Sequence, residues 1–398
     1  DGARAIGAAA ALRAGAGFCP LPLSFAMLRA KPLIVAVDRP AHAILKPGSS
    51  RAFPLARGWR KALFVSCASP KTRPLHVFAG IAPANRISEA RPPLTQDDIT
   101  SELVTLRDYW RYAISRFNAA ELSYGHGTTT AGDDAAFLLL DTLDLPIDAL
   151  DPFLDARLLP AERKLLASRI EARVATRKPS AYLTGRSYIQ GVRFFVDERV
   201  IVPRSHIGEI LFSEYLGEHG SSFLPDPMLV ESAVDICTGS GCLAVLAAKF
   251  FPQASVDAVD LSADALEVAK LNLAEHDVED QVTLFKGDLF APLSGRTYDL
   301  IITNPPYVDH DALAGYPPEF RAEPVIAHDG GEDGLDLVRK ILARAADHLN
   351  PGGGMICEIG SGREILEEEF PHLEFVWLET EQSQDAVFWI SAEALGVS

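Results

Sequence analysis

Residues 301–309 read IITNPPYVD: an apolar run that ends on an amide, two prolines and a tyrosine. Each proline fixes φ and carries no N–H, so Asn304, Pro305, Pro306 and Tyr307 cannot continue a β-ladder, and their carbonyls are left for donors outside the strand. Asn304 adds a side-chain carbonyl. Two acceptors on one stiff loop suit a planar NH₂ group, whose hydrogens they hold while its nitrogen faces an electrophile. The Tyr307 ring can pack on the face of that amide or near a cation. A plain Asn-Pro turn explains the prolines, but neither the tyrosine nor a place at the end of a buried strand.

A second motif lies upstream. In AVDICTGSGCLAVLAAKF an apolar strand reaches Cys237, continues as Thr238-Gly239-Ser240-Gly241 and enters an alanine-rich helix. Glycines let a ligand approach where a Cβ would collide, and free N–H groups at a helix start receive a carboxylate. Alone this GxG is a weak signal, because a tight strand-to-helix turn uses the same residues and the third glycine of a dinucleotide fingerprint is missing. VDAVDLS strengthens it. The next strand ends on Asp260, 19 residues after Gly241, where a carboxylate can accept both hydroxyls of a ribose. Capping the following helix is the competing role, one that Ser262 can also fill. A third strand ends in FKGDLF; there Asp288 either accepts from the exocyclic amine of a base or caps a turn, and Leu289 packs on the ring. Together these positions indicate an adenosine-containing ligand.

The elements that must carry these residues follow from periodicity. Strands are expected at 229–237, 255–260, 281–286, 298–303, 353–359, 374–379 and 386–391, with helical patterns between several of them. That alternation predicts a doubly wound, Rossmann-like α/β domain of seven strands over residues 205–398. Residues 95–183 carry three helical patterns and predict a small docking domain: Leu103, Leu106, Tyr109, Tyr112, Ala113 and Phe117 share a face, with Asp97 or Asp98 as the cap. Later patterns follow the Gly125-His126-Gly127 turn and stop before Pro179. Residues 184–204 alternate around Gly191 and predict a two-stranded hairpin link.

Composition narrows the partners. Of 37 Lys/Arg and 54 Asp/Glu, residues 1–90 hold 13 and 3, so the remainder holds 24 against 51. An acidic body repels phosphate backbones and steers cationic partners. The basic segment 1–94, rich in Ala, Arg, Gly and Pro, is expected to be a disordered extension; it has the composition of an organelle transit peptide, or of a reading frame extended too far. Five cysteines show neither CxxC nor metal spacing, which indicates a reducing, cytoplasmic setting and no structural zinc. No run reaches the ~20 apolar residues of a bilayer span.

NPPY after a fourth strand, preceded by DICTGSG and the acidic end of strand two, resembles the S-adenosylmethionine-dependent methyltransferases that modify exocyclic or amide nitrogens. Within them, FFVDERVIVPRS, NPPYVD, Glu323-Pro324 and GEDGLDLVRKIL resemble the protein-(glutamine-N5) methyltransferases. RFNAAELSYGHGTTTA and the CTGSGC loop are similar to the branch that acts on large-subunit ribosomal protein L-three, more than to the branch acting on peptide chain release factors. The likeness spans about residues 95–395. It implies a class I fold with S-adenosyl-L-methionine held by Cys237 to Gly241 and Asp260, a glutamine oriented by Asn304 to Tyr307, and an active-site region lined by Pro203, Arg204, Glu323 and Pro324. Arg204 could equally pair with a surface carboxylate. His206 stands where this branch has proline, and Thr129-Thr130 replaces a more polar pair.

The reading predicts methyl transfer to the amide nitrogen of a glutamine in a basic ribosomal protein, with no metal and no covalent intermediate. Its rivals are glutamine methylation of release factors, adenine-N6 methylation of DNA, and a silent assembly factor on the same fold. Charge opposes DNA, since a nucleic-acid enzyme should carry a basic face. The intact glycine loop, Asp260 and Asn304 to Tyr307 oppose silence.

Overall fold

The computed structural model describes residues 95–212, 226–380 and 383–398, all within the compact unit Ile87–Ser398. The basic segment 1–94 lies outside the described residues.

Thr95 opens α1 (Gln96–Glu102): its hydroxyl accepts from Asp98 N, and the Asp98 carboxylate accepts in return from Thr95 N at 2.9 Å. The cap is therefore Thr95, and Asp98 is its reciprocal partner. Thr105 and Asp108 repeat the device to start α2 (Leu106–Ala119), so the expected single face is broken at Leu103–Thr105. Leu106, Tyr109, Tyr112, Ala113 and Phe117 are nonetheless buried on one side of α2, against α3 (Ala131–Thr142) and α4 (Pro160–Thr176). As expected, α4 stops short of Pro179; a short α5 (Ser180–Thr184) then follows, which no periodicity had marked. β1 (Arg186–Ile189) and β2 (Val192–Phe195) pair antiparallel across Gln190 and Gly191, both with positive φ, as a two-residue hairpin turn requires.

After α6 (Ile207–Phe212) the chain alternates: β3 (Ser232–Ile236), α7 (Cys242–Phe250), β4 (Ser255–Asp260), α8 (Ala263–Glu275), β5 (Val282–Lys286), β6 (Tyr298–Thr303), α9 (His310–Ala314), α10 (Asp336–Ala345), β7 (Leu349–Glu358), α11 (Arg363–Glu369), β8 (Val376–Leu378) and β9 (Val387–Ser391). The seven expected strands are all present, in the order β5-β4-β3-β6-β7-β9-β8, with β9 antiparallel to both neighbours and the rest parallel. β7 begins at Leu349 rather than at 353: a register shift against β6 absorbs Pro351 to Gly353. Apolar residues on the two faces form separate clusters, one around α6 and α7, the other around α10. Cys242 to Ala248 are all buried, which explains a helix apolar all round.

Candidate active site

The order reverses at β3, flanked by β4 and β6, and open α/β sheets bind ligands at the carboxyl edge of such a point. Register fixes what stands there. Ile236 pairs with Val259 and Thr303, Asp260 with Lys286, and Thr303 with Cys357. One residue beyond the Val259, Ile236, Thr303 and Cys357 row, Lys286, Asp260, Cys237, Asn304 and Glu358 therefore form a row across the sheet edge. Thr303 ties it together by donating Oγ1–H to the Ile236 carbonyl at 2.8 Å.

Two adjoining clefts open over this row. The first spans about 730 Å³, part of it open to solvent, and is lined by Cys237, Gly239, Asp260, Leu261, Ser262, Asp288, Leu289, Asn304, Pro306, Pro324 and Ile326, among others. Asp260 braces the glycine loop by accepting from Gly239 N at 2.8 Å through one oxygen, and from Ser262 N at 2.8 Å through the other. The helix cap itself is Ser262. Gly239 has φ +55° and nothing within 4 Å of where a Cβ would sit, so its backbone is open to a ligand; a Cβ on Gly241 would meet that of Ala269 in α8 at 3.0 Å, so that glycine serves helix packing. Asp288 closes its turn with its backbone carbonyl, bonded by Ala291 N at 2.9 Å, and its carboxylate has no hydrogen-bond partner among the described residues. Apolar walls, a free carboxylate and an open glycine backbone fit a nucleoside ligand.

The second cleft, about 810 Å³, is lined by Pro203, Arg204, Thr238, Ser240, Asn304, Pro305, Tyr307, Tyr316, Phe320 and His328 with others. Asn304 borders both clefts. Neither its side-chain amide nor the Pro305 carbonyl is bonded to any described residue. Tyr307 donates to Glu358 Oε1 at 3.0 Å, which fixes its ring in the wall. Gly330 lets the Tyr307 backbone lie close: a Cβ there would come within 2.7 Å of Tyr307 Cα. Arg204 does not reach a surface carboxylate. Both oxygens of buried Glu323 accept from it, and Glu323 Oε1 also accepts from Val202 N at 2.8 Å.

The Methyltransferase small domain family matches residues 209–315. The chain is 56% identical over 295 residues to the ribosomal protein uL3 glutamine methyltransferase of Bradyrhizobium diazoefficiens, covering 74% of this chain and 92% of the relative. Proteins of the same name from Bordetella pertussis (50% identity, 75% and 99% coverage) and Burkholderia pseudomallei (49%, 73% and 95%) are similar to it over the same extent. The chain belongs to this glutamine methyltransferase family.

In this methyltransferase the expected residues gather at one sheet edge, with two changes of place. Glu323 is no part of a cleft wall, since its side chain is fully buried behind Arg204, and Pro324 borders the first cleft rather than the second. Thr238 and Ser240 face the second cleft; Thr238 donates to Asp235 Oδ2 at 2.6 Å.

Buried acids set the site's electrostatics, and sequence reasoning passed over three of them. Asp235 also accepts from Ala244 N at 3.0 Å, its other oxygen has no partner among the described residues, and burial pushes its pKa up to about 7. Glu358 accepts from Ser205 Oγ, Tyr307 Oη and the His206 N–H, the last a bond that proline at 206 could not make; burial raises its pKa. Glu319, also buried, accepts from Ser123 N at 3.1 Å. Glu323 behaves oppositely: burial disfavours its charge, but the His328 ring 3.0 Å away and two hydrogen bonds from Arg204 hold its pKa at about 2. For two of them the missed signal was a carboxylate within or at the end of an apolar strand, Asp235 in AVDIC and Glu358 in MICEIG; Glu319 lies in no strand and carried no such signal.

Proposed function

We propose that the protein transfers a methyl group from S-adenosyl-L-methionine to the side-chain amide nitrogen of a glutamine in ribosomal protein uL3. The observation that carries this is Asn304, which stands where the two clefts meet with its side-chain carbonyl and the neighbouring Pro305 carbonyl both unengaged. S-adenosylmethionine, when bound, supplies a methyl group on a positively charged sulfur.

An amide nitrogen is a poor nucleophile because its lone pair is delocalised into the carbonyl. Asn304 Oδ1 and the Pro305 carbonyl accept its two N–H groups, hold the amide in one plane and turn the nitrogen toward the first cleft, a gain of the proximity kind. Asp260 and Asp288 bind the ribose and base, and Leu261, Leu289 and Ile326 exclude water from the ring. The proton released after transfer leaves through the second cleft to solvent.

An acidic body suits a basic ribosomal protein and not a phosphate backbone, which separates this reading from adenine methylation at the same four residues. Such a substrate places the reaction in the cytoplasm. Mass spectrometry of ribosomal proteins and release factors from cells lacking the gene tests the assignment. Loss of one methyl from a uL3 glutamine is expected. Its loss from a release factor instead, or from neither, overturns the reading.

A further inference from the structure

The sheet edge does not build the second cleft alone. The turn Gly125-His126-Gly127, between α2 and α3, reaches in behind it. His126 is 8% exposed, and its ring centroid lies 4.2 Å from that of Phe320. Its Nε2 stands 3.6 Å from Glu323 Oε2 and has no hydrogen-bond partner among the described residues. A Cβ on Gly125 would approach Phe320 Cζ to 2.6 Å, so the turn is seated with no room to spare. Beside it, Arg177 pairs with Glu319 at 2.6 Å. The helical layer and the loop after Tyr307 are thus in direct contact.

His126 touches two residues that shape the cleft. Phe320 lines it, and Glu323 holds Arg204 and Val202, which line it as well. Burial and the nearby Arg204 and Arg173, against the pull of Glu323, keep the pKa of His126 down at about 4, so the ring is neutral at pH 7 with one N–H to give. Leaving that polar group unpaired in the interior is unfavourable. A contact of 3.6 Å is too long for a hydrogen bond, yet only a small shift of the loop makes one, and bonds at active sites are often long before substrate arrives and tighten after.

We propose that His126 is a positioning residue for methyl transfer, donating Nε2–H to Glu323 once the target glutamine fills the second cleft and so fixing Phe320 and Arg204 without touching the amide. This rests on reading the second cleft as the amide's pocket. It also gives the helical layer a part in the chemistry, beyond docking the substrate.

The test uses the full-length enzyme with uL3 as substrate. His126→Phe keeps the ring stack and removes the donor, whereas His126→Gln keeps a donor of similar reach. In H126F, kcat is expected to fall about tenfold or more with KM for uL3 little changed and cofactor affinity by calorimetry unaltered, while H126Q recovers most of the rate. Wild-type turnover in H126F overturns the proposal, as does equal loss in both variants. A second readout needs no transfer: nitrogen chemical shifts of His126 in the wild-type protein should show the neutral ring protonated at Nε2, and protonation at Nδ1 alone overturns it. If wild-type enzyme leaves uL3 unmethylated, the substrate assignment fails, and the ring's tautomer still decides the role of His126.

Discussion

Arg204 meets both oxygens of Glu323, at 2.7 and 2.8 Å, and this two-pronged pair closes the back of the second cleft. The pair joins the end of the hairpin link to the loop that follows Tyr307. The same carboxylate holds Val202 N, and His328 Nε2 lies 3.0 Å from it, so one buried anion fixes several segments of the wall.

Breaking that pair leaves an uncompensated buried charge. Glu323→Ala should lower the unfolding free energy by about 3 kcal/mol, since Arg204 is then half-buried without its partner. Chemical denaturation measures this, and an unchanged midpoint would show that the pair is not a structural brace.

Acid should act through the same residue. The Glu323 pKa lies at about 2, below its ordinary 4.5, so the folded state binds the proton less tightly than the unfolded chain. Its contribution is complete above about pH 4.5 and lost as pH falls toward 2, a window worth roughly 3 kcal/mol. Glu323→Gln should flatten the acid limb of the stability curve there; an unaltered limb points to another group.

Asp235 has the opposite sign. Its pKa is raised from 3.8 to about 7, so between those values the folded protein keeps a proton that the unfolded chain has released, and stability falls as pH rises through the window. Asp260 and Glu358, both raised by burial, add to the same slope. Asp235→Asn should reduce that fall, because the amide carbonyl still accepts from Thr238 and Ala244 without carrying charge. Unfolding curves at pH 5 and pH 8 check it: a variant that loses as much stability between them as wild type does removes Asp235 as a source.

Catalysis and cofactor binding should separate by residue. Asn304→Ala is expected to lower kcat by about 10²-fold or more while cofactor affinity stays near wild type, the pattern of a lost orienting acceptor. Asp260→Ala should instead weaken the cofactor by roughly 1.5–3 kcal/mol, because it removes a charged acceptor and frees Gly239 N and Ser262 N. Calorimetry beside steady-state rates distinguishes the two; equal effects of both variants on affinity would refute the division of labour.

The sheet was legible because its strands are apolar runs bounded by Gly, Asp and Pro, a local pattern. Asn304, Asp260 and the glycine loop were legible because each ends such a run. Thr95 and Thr105 as caps were harder to see, since the acidic residue expected to cap α1 turned out to be the far member of a reciprocal pair. Glu323, Glu319 and His126 were not legible as one cluster: their partners lie far away in sequence, and no period relates His126 to Glu323. Glu358 ends a strand as Asp260 does, but it points to Tyr307 and Ser205 rather than into the first cleft.

In the proposed mechanism a stiff corner of backbone grips a flat carboxamide by both its hydrogens. A crystal structure of the enzyme with S-adenosylhomocysteine and a glutamine-containing uL3 peptide tests it most directly. The glutamine nitrogen is expected within hydrogen-bond distance of both Asn304 Oδ1 and the Pro305 carbonyl, facing the sulfur across the boundary of the two clefts. A glutamine bound with its nitrogen turned away from Asn304, or outside the second cleft, would contradict it.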